Sequence, residues 1–267
     1  PKKYESISPF LSFERVIILD KDVQKEVFQL ITVVLAAGQG KRLRSSVPKP
    51  LVKIKGKTMI EHVIEKAFYA TENRKAVVVI NPDFEGDFLS WLKVPVTFAY
   101  QSIPKGTADA LARTLKLIED SEDILVMYAD LVLISRDSLK SLVSLHTERN
   151  CDITFLSGIA EKKYPYALVE RDERGRVIAF QEKKVPDFDP PWEFYIGPII
   201  LKKSVVEAYI EKLSPNESTG EIYIADIVSM AIADNKNICG FVTNNEKEFL
   251  GVNTPEDLKA VEETIEQ

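Results

Sequence analysis

Two rhythms of apolar and polar residues alternate along this chain. Mostly apolar runs at 31–35, 76–80, 96–100 and 124–128 have the length and side-chain type of buried strands. Between them the apolar positions recur at helical spacing. Met59, Ile60, Val63, Ile64 and Ala67 share one face of a helix over 59–69. Leu111, Ala112, Leu115 and Ile118 mark another helix, for which Thr107 is the expected N-cap. A helical stretch over 84–92 follows the turn residues Asn81, Pro82 and Asp83. Strands alternating with helices predict an α/β fold with a mixed, mostly parallel sheet flanked by helices. In such sheets ligands bind at the carboxyl ends of the strands.

The pattern changes in the second half. Segments 167–170 and 176–182, joined across 171–175 with Gly175 closing the turn, predict an inserted β-hairpin subregion. A proline-rich stretch over 186–191 reads as a rigid loop. A strand over 199–201, helices over 205–213 and 222–233, and a last helix from Pro255 complete the chain. Residues 1–30 are expected to be an N-terminal extension packing on the core, with an edge strand over 16–19 and a short helix over 22–30. Residues 31–267 form the remaining domain.

A length of 267 residues is enough for a substantial core, and 45% hydrophobic with 28% charged residues is the balance of a soluble globular protein. The net charge of −6 argues against a nucleic-acid partner, which requires a basic face. No apolar run reaches membrane-spanning length and no signal-peptide core opens the chain, so a cytoplasmic protein without a membrane partner is expected. The two cysteines, Cys151 and Cys239, lie far apart, and neither disulfide stapling nor a structural zinc site is expected. His62 and His146 are the only histidines and read as structural, which removes histidine-based metal chemistry.

The densest chemistry lies between Val33 and Pro50. An apolar strand ends at Leu35, opens through Ala36, Ala37 and Gly38 to Gly40, and delivers Lys41, Arg42, Arg44 and Lys49 within ten residues. A glycine-bearing loop after a strand leaves backbone N–H groups free for phosphate oxygens, and the cations behind it can neutralise a polyphosphate. Two familiar phosphate loops are excluded. Gly40-Lys41 is followed by Arg42 rather than Ser or Thr, and Gly38-x-Gly40 is followed three residues later by Leu43 rather than Gly.

Four further segments offer matching chemistry. Gln101, Gly106 and Thr107 follow a strand and open a helix, where a side-chain amide can pair with the edge of a pyrimidine. Asp130 closes a buried strand with a carboxylate suited to a hard cation, and Asn253 near the C-terminus offers a second oxygen. Glu182, beside Lys183 and Lys184, ends the hairpin. In this order the segments resemble those of the sugar-phosphate nucleotidyltransferases, and from Ile31 onward the chain is similar to the uridyltransferase domain of bacterial N-acetylglucosamine-1-phosphate uridyltransferases.

The resemblance implies a Rossmann-like, GT-A-type nucleotidyltransferase fold and a Mg²⁺-dependent reaction of a pyrimidine nucleoside triphosphate, UTP first, with a sugar 1-phosphate. It implies Arg42 and Lys49 as triphosphate-binding, catalytic cations and Leu35, Ala36, Ala37 and Gly38 as the nucleotide loop. It further implies Gln101, Gly106 and Thr107 at the base, Asp130 and Asn253 on the metal, and Ala167, Glu182 and Tyr195 at the acceptor. The Gln101 amide, flipped either way, could serve uracil or cytosine. The family has Gly where this chain has Ala129, Tyr-Gly where it has Tyr166-Ala167, and Asn-Thr-Gly where it has Tyr195-Ile196-Gly197. The acceptor half is therefore altered, and an acceptor other than N-acetylglucosamine 1-phosphate is expected. Alternatives are a cytidylyltransferase acting on a phospho-alcohol or inositol phosphate, and a catalytically silent nucleotide-binding regulatory protein. No hexapeptide-repeat domain is expected, and the protein is expected to be a monomer or homodimer.

Overall fold

The computed structural model describes residues 30–38, 40–118, 123–181 and 189–266. Strand β1 (Leu30–Leu35) is followed by a two-stranded ribbon, β2 (Lys53–Ile54) and β3 (Lys57–Thr58), and by helix α1 (Met59–Thr71). Then come β4 (Ala76–Ile80), α2 (Glu85–Trp91), β5 (Thr97–Tyr100), α3 (Thr107–Ala112), β6 (Asp123–Tyr128) and α4 (Arg136–Glu148). The second half holds β7 (Ile153–Ala160), β8 (Ala167–Arg171), β9 (Val177–Gln181), β10 (Trp192–Lys202), α5 (Lys203–Tyr209), α6 (Ile224–Ala233), β11 (Ile238–Thr243) and α7 (Pro255–Glu266). The main sheet runs β11-β7-β10-β6-β1-β4-β5, and the β8–β9 hairpin extends it from β10.

Along that path β1, β4, β5 and β6 pair in parallel, as do β7 and β11, while β10 is antiparallel to both its neighbours. β1 carries a nearly continuous apolar sequence because both faces are covered: Val33 joins one hydrophobic cluster and Val34 the other. The face of α1 read from its spacing is the buried one, with Met59, Ile60, Val63, Ile64 and Ala67 all out of solvent. Its N-terminus is fixed by a capping box in which the Glu61 N–H donates to Thr58 Oγ1 at 3.3 Å and the Thr58 N–H to Glu61 Oε2 at 2.9 Å. The two histidines hold structure, His62 Nε2 lying 2.9 Å from Ile54 O and His146 Nδ1 2.7 Å from Thr154 Oγ1.

Several expectations are corrected. The cysteines do form a disulfide, Cys151–Cys239, with Cα atoms 6.3 Å apart. Cys239 lies in β11, whose parallel pairing with β7 places it opposite Thr154, so sheet register brings together residues 88 apart in sequence. α3 begins at Thr107 with Gly106 as N-cap and ends at Ala112, short of the expected Ile118. The strand read over 199–201 is the second half of the eleven-residue β10. Its pairing with β7 shifts register between Tyr195 and Ile199, where Gly197 and Pro198 interrupt the alternation, so only the second half stands out in sequence. Leu30 belongs to β1 rather than to an N-terminal helix. The other elements expected within residues 1–29 lie outside the described residues.

Candidate active site

β1, β5 and β6 end on the same edge of the sheet, and the polypeptide leaving each of them lines one cleft. Leu35, Ala36, Ala37 and Gly38 leave β1, Gln101 follows β5, and Ala129 and Asp130 follow β6. These residues, with Lys49, Gly106 and Thr107, line a cavity of about 240 Å³. A second cavity of about 180 Å³ is lined by Tyr166, Ala167, Tyr195, Tyr223 and Asn253 among others. The cavities share Thr107, Tyr128 and Asp130 as their common wall. The nucleotide-loop and base residues expected from sequence therefore surround one chamber, and the acceptor residues Ala167 and Tyr195 the next. Glu182 lies outside the described residues.

At the junction stand four polar side chains from three distant segments. Lys49 Nζ donates to Asp130 Oδ2 at 2.6 Å and to Asn253 Oδ1 at 3.0 Å, and Arg42 Nη2 donates to the same Asn253 oxygen at 3.1 Å. Lys49 opens a short 3₁₀ turn and is flanked by Pro48 and Pro50, which fix the backbone direction from which its side chain leaves. Gly40 permits the approach: it adopts φ of +58°, and a Cβ there would stand 2.5 Å from Lys49 Cβ. The loops carrying Asp130 and Asn253 are tied together, because the Val252 N–H donates to Asp130 O at 3.1 Å. Asp257 then accepts from the N–H groups of Asn253 at 2.9 Å and Thr254 at 2.8 Å, anchoring Asn253 at the start of α7.

The Gln101 end of the cleft is fixed as firmly. The Gln101 N–H continues the sheet by donating to Ile80 O at 2.9 Å, and its side chain is almost wholly buried. Gln101 Nε2 donates to Gly106 O at 3.1 Å and to Asp109 Oδ2 at 2.7 Å, so its amide is held in one orientation, contrary to the expectation of a free flip. Thr107 is not the helix cap. Its hydroxyl accepts from the Ile224 N–H at 3.0 Å, while the Ala108 N–H donates to Ile222 O at 2.9 Å. These bonds join the start of α3 to the start of α6, whose Ala225 lines the second cavity.

That second cavity has an aromatic lining which sequence reasoning only partly found. Tyr195 and the Tyr166-Ala167 pair were expected at the acceptor, but Tyr128 and Tyr223 were not. The Tyr166 hydroxyl donates to Phe249 O at 2.6 Å, that of Tyr223 to Thr219 Oγ1 at 2.9 Å, and that of Tyr195 to Gly197 O. Burial, reinforced by the Asp130 carboxylate, pushes the Tyr166 phenol far above its ordinary pKa, so it remains a donor. Each ring comes from a different element, and no local motif marks them.

A glycine-bearing loop at a strand end, clustered cations, a carboxylate–amide oxygen pair and an adjoining chamber thus meet at one edge of the sheet. Residues 31–266 match the family model described as Nucleotidyl transferase, and the chain belongs to that family. It is 30% identical over 236 residues to the "Bifunctional protein GlmU" of Methylococcus capsulatus, covering 88% of this chain and 50% of that protein. The protein of the same name from Thermodesulfovibrio yellowstonii is 32% identical over 230 residues, covering 85% of this chain and 50% of the relative. The chain thus spans about half the length of the curated relatives it matches. A crystal structure from Bacillus anthracis, of a protein provisionally described as a glucose-1-phosphate thymidylyltransferase in complex with a sucrose, shares the fold with a TM-score of 0.73 at 19% identity. It covers 88% of this chain and 94% of that one.

Proposed function

We propose that this protein transfers the nucleotidyl group of a pyrimidine nucleoside triphosphate, UTP first, to a sugar 1-phosphate and releases pyrophosphate. The observation that carries the reading is the hydrogen-bonded cluster of Arg42, Lys49, Asp130 and Asn253, in which Lys49 borders one chamber, Asn253 the other and Asp130 both. Family membership and the similarity to GlmU proteins support it. A phosphate oxygen of the acceptor attacks the α-phosphorus, a new P–O bond forms, and the bond to the bridging oxygen of the β-phosphate breaks with its electrons leaving on pyrophosphate. The attacking oxygen is already anionic at neutral pH, so the site needs no general base.

The chain's own work is to hold two anions together. The nucleotide loop from Leu35 to Gly38 borders the chamber for the base and phosphates, while Lys49 and Arg42 offset negative charge on the transferring and leaving oxygens. The residues present fit Mg²⁺. Asp130 Oδ2 and Asn253 Oδ1 already converge on one cation, the Lys49 ammonium, and a carboxylate with an amide oxygen is a hard donor set that phosphates and water can complete. Mg²⁺ held by Asp130 and Asn253 would supply Lewis-acid neutralisation of the phosphates. A site supplied with nucleoside triphosphate fits the cytoplasm, and no helix among the described residues is long and apolar enough to cross a membrane.

On the acceptor side Ala167 and Tyr195 fill space and replace a compact amide with a phenol whose hydroxyl is engaged by Gly197 O. Overfilling a packed site costs about 1–3 kcal/mol, which is roughly 5- to 160-fold in affinity. A hexose 1-phosphate other than N-acetylglucosamine 1-phosphate is therefore the preferred acceptor. Pyrophosphate release measured with UTP over a panel of sugar 1-phosphates, phospho-alcohols and inositol phosphates tests this. The highest kcat/KM should fall on such a hexose 1-phosphate, and the highest value on N-acetylglucosamine 1-phosphate or a non-sugar phosphate would refute the acceptor assignment.

A further inference from the structure

We propose that Asp109 is a positioning residue that locks the Gln101 side-chain amide one way round and so makes the base chamber selective for rings that present an N–H, uracil and thymine, over cytosine. The inference rests on the nucleotide-binding reading above and deepens it. Gln101 Nε2 faces a backbone carbonyl, Gly106 O, at 3.1 Å and a carboxylate oxygen, Asp109 Oδ2, at 2.7 Å. Both are acceptors only, so the NH₂ end must point at them and both of its hydrogens are used. A flip would set the amide oxygen against two acceptors. Asp109 is itself held, since Arg113 Nη2 donates to its other oxygen, Oδ1, at 2.7 Å one helical turn further along. Side-chain bonds therefore run from Arg113 through Asp109 to Gln101, and Gln101 lines the chamber.

The consequence is chemical. With its nitrogen spent on the protein, the Gln101 side chain has one polar atom left for a base, the acceptor Oε1. Uracil and thymine carry a hydrogen on N3 and can donate it there. Cytosine has a bare lone pair on the same ring atom, so two acceptors would face each other. A site built to pair one partner discriminates against an analogue that leaves its groups unmatched. A free amide would rotate and serve either ring; the Asp109 carboxylate, together with the Gly106 carbonyl, removes that freedom.

The test is equilibrium binding of UTP, dTTP and CTP to the whole chain by titration calorimetry, with no acceptor present, so that it stands apart from turnover. The wild-type protein should bind UTP and dTTP at least about tenfold more tightly than CTP, the scale of one hydrogen bond to a buried group. In Asp109→Ala both the UTP/CTP and the dTTP/CTP affinity ratios should fall together by about threefold, the Gly106 carbonyl alone then orienting the amide, and Asp109→Glu should restore part of the preference. A purely structural role would weaken all three nucleotides equally and leave the ratios unchanged. If Asp109→Ala fails to fold, Arg113→Ala is the second variant, with a smaller fall of the ratios in the same direction. Equal wild-type affinities for UTP and CTP, or unchanged ratios in the folded variants, would overturn the inference. Binding of none of the three pyrimidine nucleotides would overturn the nucleotide-binding reading and this inference with it.

Discussion

Lys49 is the side chain on which the site's electrostatics turn. Among the described residues it is the one cation that touches both oxygens of the carboxylate–amide pair, at 2.6 Å and 3.0 Å, and its direction is set by flanking prolines and by the absence of a Cβ at Gly40. Removing one preorganised charge contact to a developing anion costs about two to three orders of magnitude in rate. Lys49→Ala should lose that much kcat/KM in a pyrophosphate-release assay while its melting temperature moves little; near wild-type turnover would remove Lys49 from the chemistry. Asp130→Asn and Asn253→Ala should each raise the Mg²⁺ concentration that gives half-maximal rate, because each weakens one oxygen donor. Titration curves superimposing on the wild type would exclude the pair as metal ligands. These residues were legible in sequence because their chemistry is local: a strand, a glycine loop and cations within twenty positions. Tyr128, at the end of β6, and Tyr223, before α6, were not, since such a tyrosine reads as core until the neighbouring chamber is known. Asp109 was passed over for a similar reason, as an acidic residue in the first turn of a helix.

At the scale of elements, the loop before α3 joins the two chambers. Gly106 adopts φ of +100°, and a Cβ there would lie 2.3 Å from Ile222 O, against backbone that cannot swing aside. Its own carbonyl holds Gln101 Nε2, and the next residue bonds the start of α6. Gly106→Ala should therefore destabilise the fold by about 1–3 kcal/mol of backbone strain and weaken nucleotide binding as well. Thermal melts together with UTP titration would check both, and wild-type behaviour in each would contradict the packing described. The parallel strands β1, β4 and β6 and helix α1 were readable because each buries a regular pattern, and β5, exposed at Thr97 and Tyr100, from its short run of strand-type residues alone. α4, β7 and β11 went unread. β7 mixes Thr154, Ser157 and Gly158 with its apolar residues, and β11 is only partly buried along most of its length. Their place is set by pairing with β10 and with each other.

Across the whole molecule, the Cys151–Cys239 disulfide ties the loop before β7 to β11, on the side of the sheet remote from the nucleotide chamber. Cysteine spacing gave no sign of it, because a separation of 88 residues becomes a contact only through sheet register. Closing so long a loop stabilises a fold by about 2–5 kcal/mol. Cys151→Ser, or full reduction, should therefore lower the melting temperature by on the order of 5–15 °C in a protein of this size, with kcat near that of the parent below the transition. An unchanged melting temperature would show that the bridge carries no stability.

The central claim, that the cluster at the wall between the chambers drives transfer at the α-phosphorus, is tested most directly by following label. UTP carrying ³²P at the α position, and separately at the γ position, would be incubated with Mg²⁺ and the preferred sugar 1-phosphate. The account predicts that α label enters the nucleotide–sugar product, that γ label appears only in pyrophosphate, and that both transfers vanish with EDTA and fall steeply in Lys49→Ala. Transfer of γ label to the acceptor, or label that remains in UTP whatever acceptor is supplied, would contradict it.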